Sequence, residues 1–241
     1  MIKERVKQLF SYAGIDLTRN MAYDRLTRKI MQQVIGPSSN CIDAGSHQGE
    51  MLDLMLRLAP EGKHYAFEPI DLYYSKLCEL YGDRASISPY ALADKNGCGQ
   101  FVYVVNDAAY SGLRRRSYAV SKPEIREIEV DIRRLDDIIP DDVNIDFMKI
   151  DVEGAEYLVM QGAMKTIRRS KPIIVFEFGM GASDHYETKP HDVFDFLVAA
   201  CAMKISSLKK FLKNQEPITL NEFSNYYYQQ TEYYFVAFPE A

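Results

Sequence analysis

Apolar and polar positions follow two rhythms along the chain. Over residues 2 to 35 apolar side chains recur at helical spacing. Val6, Leu9, Phe10 and Ala13 share one face of a first segment, and Tyr23, Leu26, Ile30 and Val34 repeat the pattern in a second. Gly36-Pro37 ends it. From Asn40 short apolar runs take over. "CIDAGSHQGE" reads as a strand, a glycine turn and the start of an amphipathic run from Met51 to Leu58. "HYAFEP" is a second strand, followed by a helix through Leu72, Leu77 and Leu80, and "ASISPYALAD" is a third. Strands alternating with helices at this spacing predict a parallel sheet with crossover helices.

"GQFVYVV" and "EIREIEVDIRRL" interrupt that order. Both alternate and are rich in β-branched or aromatic residues, which predicts an extra antiparallel pair around the loop from Asn106 to Pro123. "VNIDFMKIDV" resumes the sheet, and a helix follows through Ala155, Leu158, Val159, Gly162 and Ile167. "PIIVFEFG" is the next strand. A helix through Val193, Phe196, Leu197 and Ala200 leads to a strand near Met203 to Leu208, and "EYYFVAF" closes the chain. The expected architecture is one α/β domain over residues 39–241 behind a helical cap over residues 1–38, a division that suits 241 residues.

Charge and cysteine content narrow the partners. A formal net charge of −5 argues against a general nucleic-acid binder. The four cysteines, Cys41, Cys78, Cys98 and Cys201, show no CxxC spacing, so they read as free thiols, mostly in or near the core, of a reducing compartment. The first residues lack a continuous apolar stretch, and no apolar run is long enough to cross a bilayer. These features point to a cytoplasmic protein with no membrane partner, and homodimerisation stays open.

The candidate chemistry gathers where strands end. "Asp43-Ala-Gly45-Ser46-His-Gln-Gly49" opens the first crossover helix; its glycines allow a tight turn, and the helix start offers free N–H groups. Glu68, beside Pro69, lies about 20 residues beyond the glycines, where an acid takes the ribose hydroxyls of a nucleoside cofactor. A dinucleotide site would show GxGxxG. Here the pattern is DxGxxxG, and a carboxylate beside the first glycine repels a pyrophosphate but favours a cationic amino-acid moiety. That favours S-adenosylmethionine over NAD. Tyr90, Ala91 and Leu92, at the end of the third strand, are candidates for an adenine wall, with core packing as the alternative for Leu92.

"IDFMKIDVEGAEYLVMQGA" places Asp151, Glu153 and Glu156 directly behind a buried strand, and Glu177 ends the next one. Methyl transfer from S-adenosylmethionine needs an acceptor atom roughly 3 Å from the methyl carbon, in line with sulfur, and a protonated acceptor needs a base or a metal to activate it. Asp151, Glu153 and Glu177 are the catalytic candidates, with Asp151 also among the cofactor contacts. Asp151 and Glu177 are the candidate ligands for a divalent cation. Glu156 reads as a charge complementing a helix dipole. His185, in the loop after that strand, is a further candidate base. Ser111, Arg114 and Arg115, in the basic cluster "SGLRRRS", are candidates for contacting an acidic or phosphorylated acceptor, against the ordinary reading of a solvated charge run.

"CIDAGSHQGE", "YAFEP", "PYALAD", "YSGLRRR", "IDFMKIDVEGAEYLVMQGA", "KPIIVFEFG" and "YYFVAF" together resemble the FkbM-type methyltransferases over about residues 39 to 238. The resemblance implies a Rossmann-like seven-stranded sheet whose last strand is antiparallel. It also implies S-adenosylmethionine as cofactor and a hydroxyl of a sugar, polysaccharide or natural product as acceptor. Asp43, Gly45, Gly49 and Glu68 carry over as cofactor contacts, and Asp151 as a residue at the reaction rim. The competing readings are an NAD-type oxidoreductase, which predicts the absent GxGxxG; a nucleic-acid methyltransferase, whose Asn-Pro-Pro-aromatic signature is also absent; and an S-adenosylmethionine-binding protein without catalysis.

Overall fold

The computed structural model describes residues 18–118 and 122–240. The first expected helical segment, with Val6, Leu9, Phe10 and Ala13, lies outside them. The second is helix α1, Arg19–Val34. The Thr18 side chain caps it by accepting from the Met21 amide, and Ile35 leaves in an extended conformation ahead of Gly36-Pro37. Tyr23, Leu26, Ile30 and Met31 form its buried face, packed with Met51 and Met55 and with Leu208.

Residues Cys41–Ala44 (β1), His64–Phe67 (β2), Ser86–Ser88 (β3), Phe147–Ile150 (β7), Ile173–Glu177 (β8), Met203–Ser207 (β9) and Tyr234–Pro239 (β10) build one seven-stranded sheet in the order β3-β2-β1-β7-β8-β10-β9. Its strands run parallel except β10, which is antiparallel to both of its neighbours. Helices α2 (Glu50–Leu58), α3 (Asp71–Tyr81), α4 (Glu156–Gly162), α5 (Met164–Ser170) and α6 (Pro190–Asp195) fill the connections. Both faces of the central strands are therefore covered, and β1 and β7 are buried at every position. Among the described residues no helix is long and apolar enough to cross a membrane.

The third expected strand divides. Pro89 has no amide to give to a ladder, and the chain bends there. Ser86–Ser88 stays in the main sheet, while Tyr90–Leu92 (β4) leaves to pair in parallel with Ile125–Arg133 (β6). The expected antiparallel pair, Gly97–Val104 (β5) with β6, thus becomes a three-stranded sheet in the order β4-β6-β5. The helix expected through Ile167 is two helices that meet at Ala163. Two helices had no counterpart in the apolar pattern: α7 (Leu208–Leu212) and α8 (Leu220–Gln229). The capping box of α8, Thr219 with Glu222, stands in the sequence as T-x-x-E. Cys41 and Cys201 are buried as expected, whereas Cys98 is exposed on the small sheet.

Candidate active site

Parallel strands all end at one rim, and that is where ligands bind in open α/β sheets. A cleft of about 720 Å³ opens there. Its lining includes Asp43, Gly45, Ser46, Glu68, Pro69, Tyr90 and Ala91 on one side, and Glu153, Glu177, Tyr233 and Tyr234 on the other, with Asp151 in the lining as well. Tyr234 reaches this rim because β10 runs antiparallel: its first residue pairs with Glu177, the last of β8.

The glycine turn is built for close approach. Gly45 has φ +81°, and a side chain there would overlap the Asp151 carbonyl. Gly49 has φ +82° and caps α2 while packed under Leu77 and Tyr81. It supports the turn from behind and does not line the cleft. Glu68 is buried, and its carboxylate accepts from the His47 amide at 2.8 Å and the Ile70 amide at 3.0 Å, tying the turn to the end of β2. Burial pushes it up to about 7 against those two bonds. A carboxylate has about four acceptor positions, so two backbone bonds leave capacity for ribose hydroxyls. Phe67, Ile70, Tyr73, Tyr90, Ala91 and Leu92 supply an apolar surface beside it.

Asp43 is 1% exposed, and neither of its carboxylate oxygens has a hydrogen-bond partner. Its nearest cation is Lys149 Nζ at 3.8 Å. Burial pushes its carboxyl up to about 6, with Lys149 pulling down and Asp151 pushing up. An orphaned buried carboxylate, two glycine-only positions and a nearly buried acid at the next strand end together fit a nucleoside cofactor with a cationic amino-acid end.

Register explains the Lys149 cluster. Lys149 lies beside Asp43 in the β1–β7 ladder, and Asp151, two residues on, projects from the same face. Lys149 Nζ is 2.9 Å from Asp151 Oδ2, which also accepts from the Tyr234 hydroxyl at 2.9 Å. Burial alone would lower the Lys149 pKa, but Asp151 and Asp43 outweigh it and hold the ammonium raised. Burial would likewise raise Asp151. Lys149, together with the hydrogen bonds from Tyr234 and Glu177, reverses that and keeps Asp151 below the ordinary carboxylate range. Glu177 goes the other way: burial, then the charges of Asp151 and Glu156, hold it well above. The two carboxyls are thus pushed in opposite directions, Asp151 toward the ionised form and Glu177 toward the protonated one.

From the sequence Lys149 reads only as a strand residue, and Tyr233-Tyr234 as rings that stack on a sugar or pack half-buried beside the last strand. The signal for Lys149 was present, as a lysine inside an otherwise apolar strand two positions before an acid. Tyr234 became legible only through the direction of the last strand.

Asp151, Glu153 and Glu177 each offer an oxygen within 4.8 Å of the others. The donor set does not fit a divalent cation. An ammonium already sits on Asp151, the Arg116 guanidinium is paired with Glu153, and Glu177 is engaged with Asp151 by a hydrogen bond. Glu153 has φ 59°, an uncommon conformation for a residue with a side chain. Its ion pair with Arg116 and the turn closed by Glu156 hold it there.

Glu156 stands in the first turn of α4, as the helix-start reading expects, but it also has a second role. It is 1% exposed and accepts from the amides of Val152 and Gly154, both at 3.0 Å, so it clamps the loop that carries Glu153. Burial raises it to about 7. Glu156→Ala is expected to lower stability by about 2 kcal/mol by stranding those amides. Glu156→Gln, which keeps an acceptor, should lose less than half of that in urea unfolding. Equal losses would rule the clamp out.

Three candidates sit apart from the cleft. His185 lies in the short turn Ser183–Tyr186, where its carbonyl accepts from Arg114 Nη1 at 2.7 Å. Arg114 stacks over Tyr186, and Arg115 pairs with Glu127 on the surface. None of the three lines the cleft. The residue of "RRR" that does is Arg116, held over the Tyr110 ring. Ser111 also lines it, with its Oγ accepting from the Val104 amide at 2.9 Å.

A model of the methyltransferase FkbM domain matches residues 43–205. Among solved structures, methyltransferase FkbM from Methylobacillus flagellatus KT aligns with a TM-score of 0.52 at 17% identity, over 84% of this chain and 44% of that one. The chain thus spans less than half the length of that protein, and the likeness is one of fold. A candidate methyltransferase from Streptococcus mutans in complex with SAH aligns at a TM-score of 0.47 and 12% identity over 88% of this chain and 94% of that one. An rRNA methylase from Streptococcus thermophilus aligns at 0.46 and 11% over 92% and 96%. No curated protein matches the chain in sequence.

Proposed function

The chain belongs to the FkbM methyltransferase family, and from that premise we propose that it transfers a methyl group from S-adenosylmethionine to a hydroxyl oxygen of a small-molecule or saccharide acceptor. The observation that carries the oxygen reading is the Asp151–Glu177 carboxyl pair at the strand ends, with Lys149 lowering Asp151 while burial and its neighbours' charges raise Glu177.

When bound, the cofactor supplies an electrophilic methyl carbon on a sulfonium. Gly45, Ser46 and Glu68 bind and orient it, and Tyr90 and Ala91 flank its base. Asp151 would accept a hydrogen bond from the acceptor hydroxyl and take its proton while the methyl carbon exchanges its bond to sulfur for one to oxygen, leaving the neutral thioether. Lys149 and Tyr234 keep Asp151 ionised and fixed in rotamer. Tyr110, Tyr233 and the paired Arg116–Glu153 side chains line the rest of the cleft. Flat rings beside carboxylates suit a polyhydroxylated acceptor, since rings pack on C–H faces while acids take hydroxyl protons.

The test is methyl transfer from methyl-labelled S-adenosylmethionine to a panel of hexose glycosides and polyketide alcohols, with the product bond read by NMR. O-methyl products are expected, with turnover unchanged by EDTA. Methylation confined to nitrogen or carbon would overturn the oxygen reading. Turnover abolished by EDTA and restored by Mg²⁺ would bring back a metal at Asp151 and Glu177.

A further inference from the structure

Helix α1 lies outside residues 43–205, which the family model matches, yet it lines the cleft with Arg19, Asn20 and Asp24. It is fastened at two places. Arg19 donates to the Gln230 carbonyl at 3.0 Å and stacks over Tyr233, and the Tyr23 hydroxyl donates to Glu232 at 2.6 Å. One turn further along, Arg28 pairs with Glu50, the first residue of α2, at 2.8 Å. Asp24 and Arg28 are four apart and share a helix face. The Arg28–Glu50 contact therefore sets Asp24 beside the Gly45–Gly49 turn.

The charges there do not balance. Three carboxylates, Asp24, Asp43 and Asp151, act on the single ammonium of Lys149. Asp43 is almost fully buried, lines the cleft, and has no hydrogen-bond partner for either oxygen. Asp24 keeps a solvent-exposed side chain in the cleft. Protein crowds it enough to push its carboxyl up to about 6, with Asp151 adding to the rise, Lys149 and Arg28 opposing it, and Glu50 adding again. Arg28 also acts on Asp24, while Lys149 is the cation that all three share among the described residues, and the open cleft is where a further cation would enter.

We propose that Asp24, on the helix outside the matched segment, is a cofactor-binding residue that takes the α-ammonium of the methionine moiety, closing the charge cluster begun by Asp43 and Asp151. The inference rests on the S-adenosylmethionine reading. It makes α1 part of the cofactor site and not only a cover for the sheet.

Two ligands separate the ideas: S-adenosylhomocysteine, which carries the ammonium, and 5′-methylthioadenosine, which has the same nucleoside without the amino acid. Affinities are measured by calorimetry at pH 8, where Asp24 is ionised. Asp24→Asn should weaken S-adenosylhomocysteine about ten- to hundredfold, the range of one charge-assisted hydrogen bond. It should leave methylthioadenosine within about twofold, and Asp24→Glu should restore most of the loss. Equal weakening of both ligands, loss of both, or no change in either would overturn the role of Asp24. A wild-type protein that binds neither ligand would overturn the cofactor reading itself, a result distinct from those three.

Discussion

Asp151→Asn is expected to lower kcat by about 10²–10⁴-fold, the usual range for removing a group that takes a proton in the transition state, with S-adenosylhomocysteine still bound. The substitution is nearly isosteric. An amide oxygen can still accept from Tyr234, which donates to Oδ2 at 2.9 Å, so the side chain should keep its place. What disappears is the negative charge that meets the acceptor hydroxyl. Glu177 is a poor substitute: losing the Asp151 charge removes one cause of its rise, but burial and the Glu156 charge still oppose its ionisation. The expected signature is a fall in kcat with little change in acceptor KM. Turnover within threefold of wild type at saturating cofactor would remove Asp151 from the chemistry and leave it an anchor for Lys149.

The split between what the sequence revealed and what it withheld follows the range of the interactions. The β1 and β7 strands, the glycine turn and Glu68 were readable because each is local: an apolar run, then a residue type that only a turn or a strand end tolerates. Asp151 and Glu177 were readable as a pair because consecutive parallel strands become neighbours. Most of the failures depend on contacts that the local pattern does not encode. Nothing near Arg114, Arg115 or Arg116 in sequence says which guanidinium turns inward; the Tyr110 ring and Glu153, from another part of the chain, decide it. Glu156 read as a helix-start charge, and its clamp on Val152 and Gly154 was hidden because that loop turns back on itself, with Glu153 and Gly154 at positive φ. Tyr234 required knowing that the last strand inserts between β8 and β9. Asp24 required the long contact between α1 and the end of the chain. Pro89 was different: its effect on the third strand is local, and the missing amide could have been weighed against the apolar run.

Lys149→Met should lower stability at neutral pH by roughly 3–5 kcal/mol, the range for breaking a buried ion pair from one side. Methionine fills a similar volume, so the loss comes from charge. Asp43 would lose its nearest cation, and Asp151 would keep only its hydrogen bonds to Tyr234 and Glu177. The pH dependence has a definite sign. Lys149 is held above its ordinary value near 10.5, so its stabilisation is complete below that value and fades as pH rises through the folded one. In the variant, Asp43 starts from about 6 without a cation to oppose its rise. It takes up a proton as pH falls, and the protonated form no longer needs Lys149. The gap between wild type and variant should therefore be widest between about pH 7 and 10 and narrow toward pH 5. Urea unfolding at pH 5 and pH 8 reads this directly. A second substitution isolates the cause: Asp43→Asn in the Lys149→Met background should recover part of the loss, because it removes the carboxylate left uncompensated. If the two losses simply add, or if the gap is as wide at pH 5 as at pH 8, Lys149 stabilises the sheet by packing its alkyl chain, and the charge cluster is not what holds the rim together.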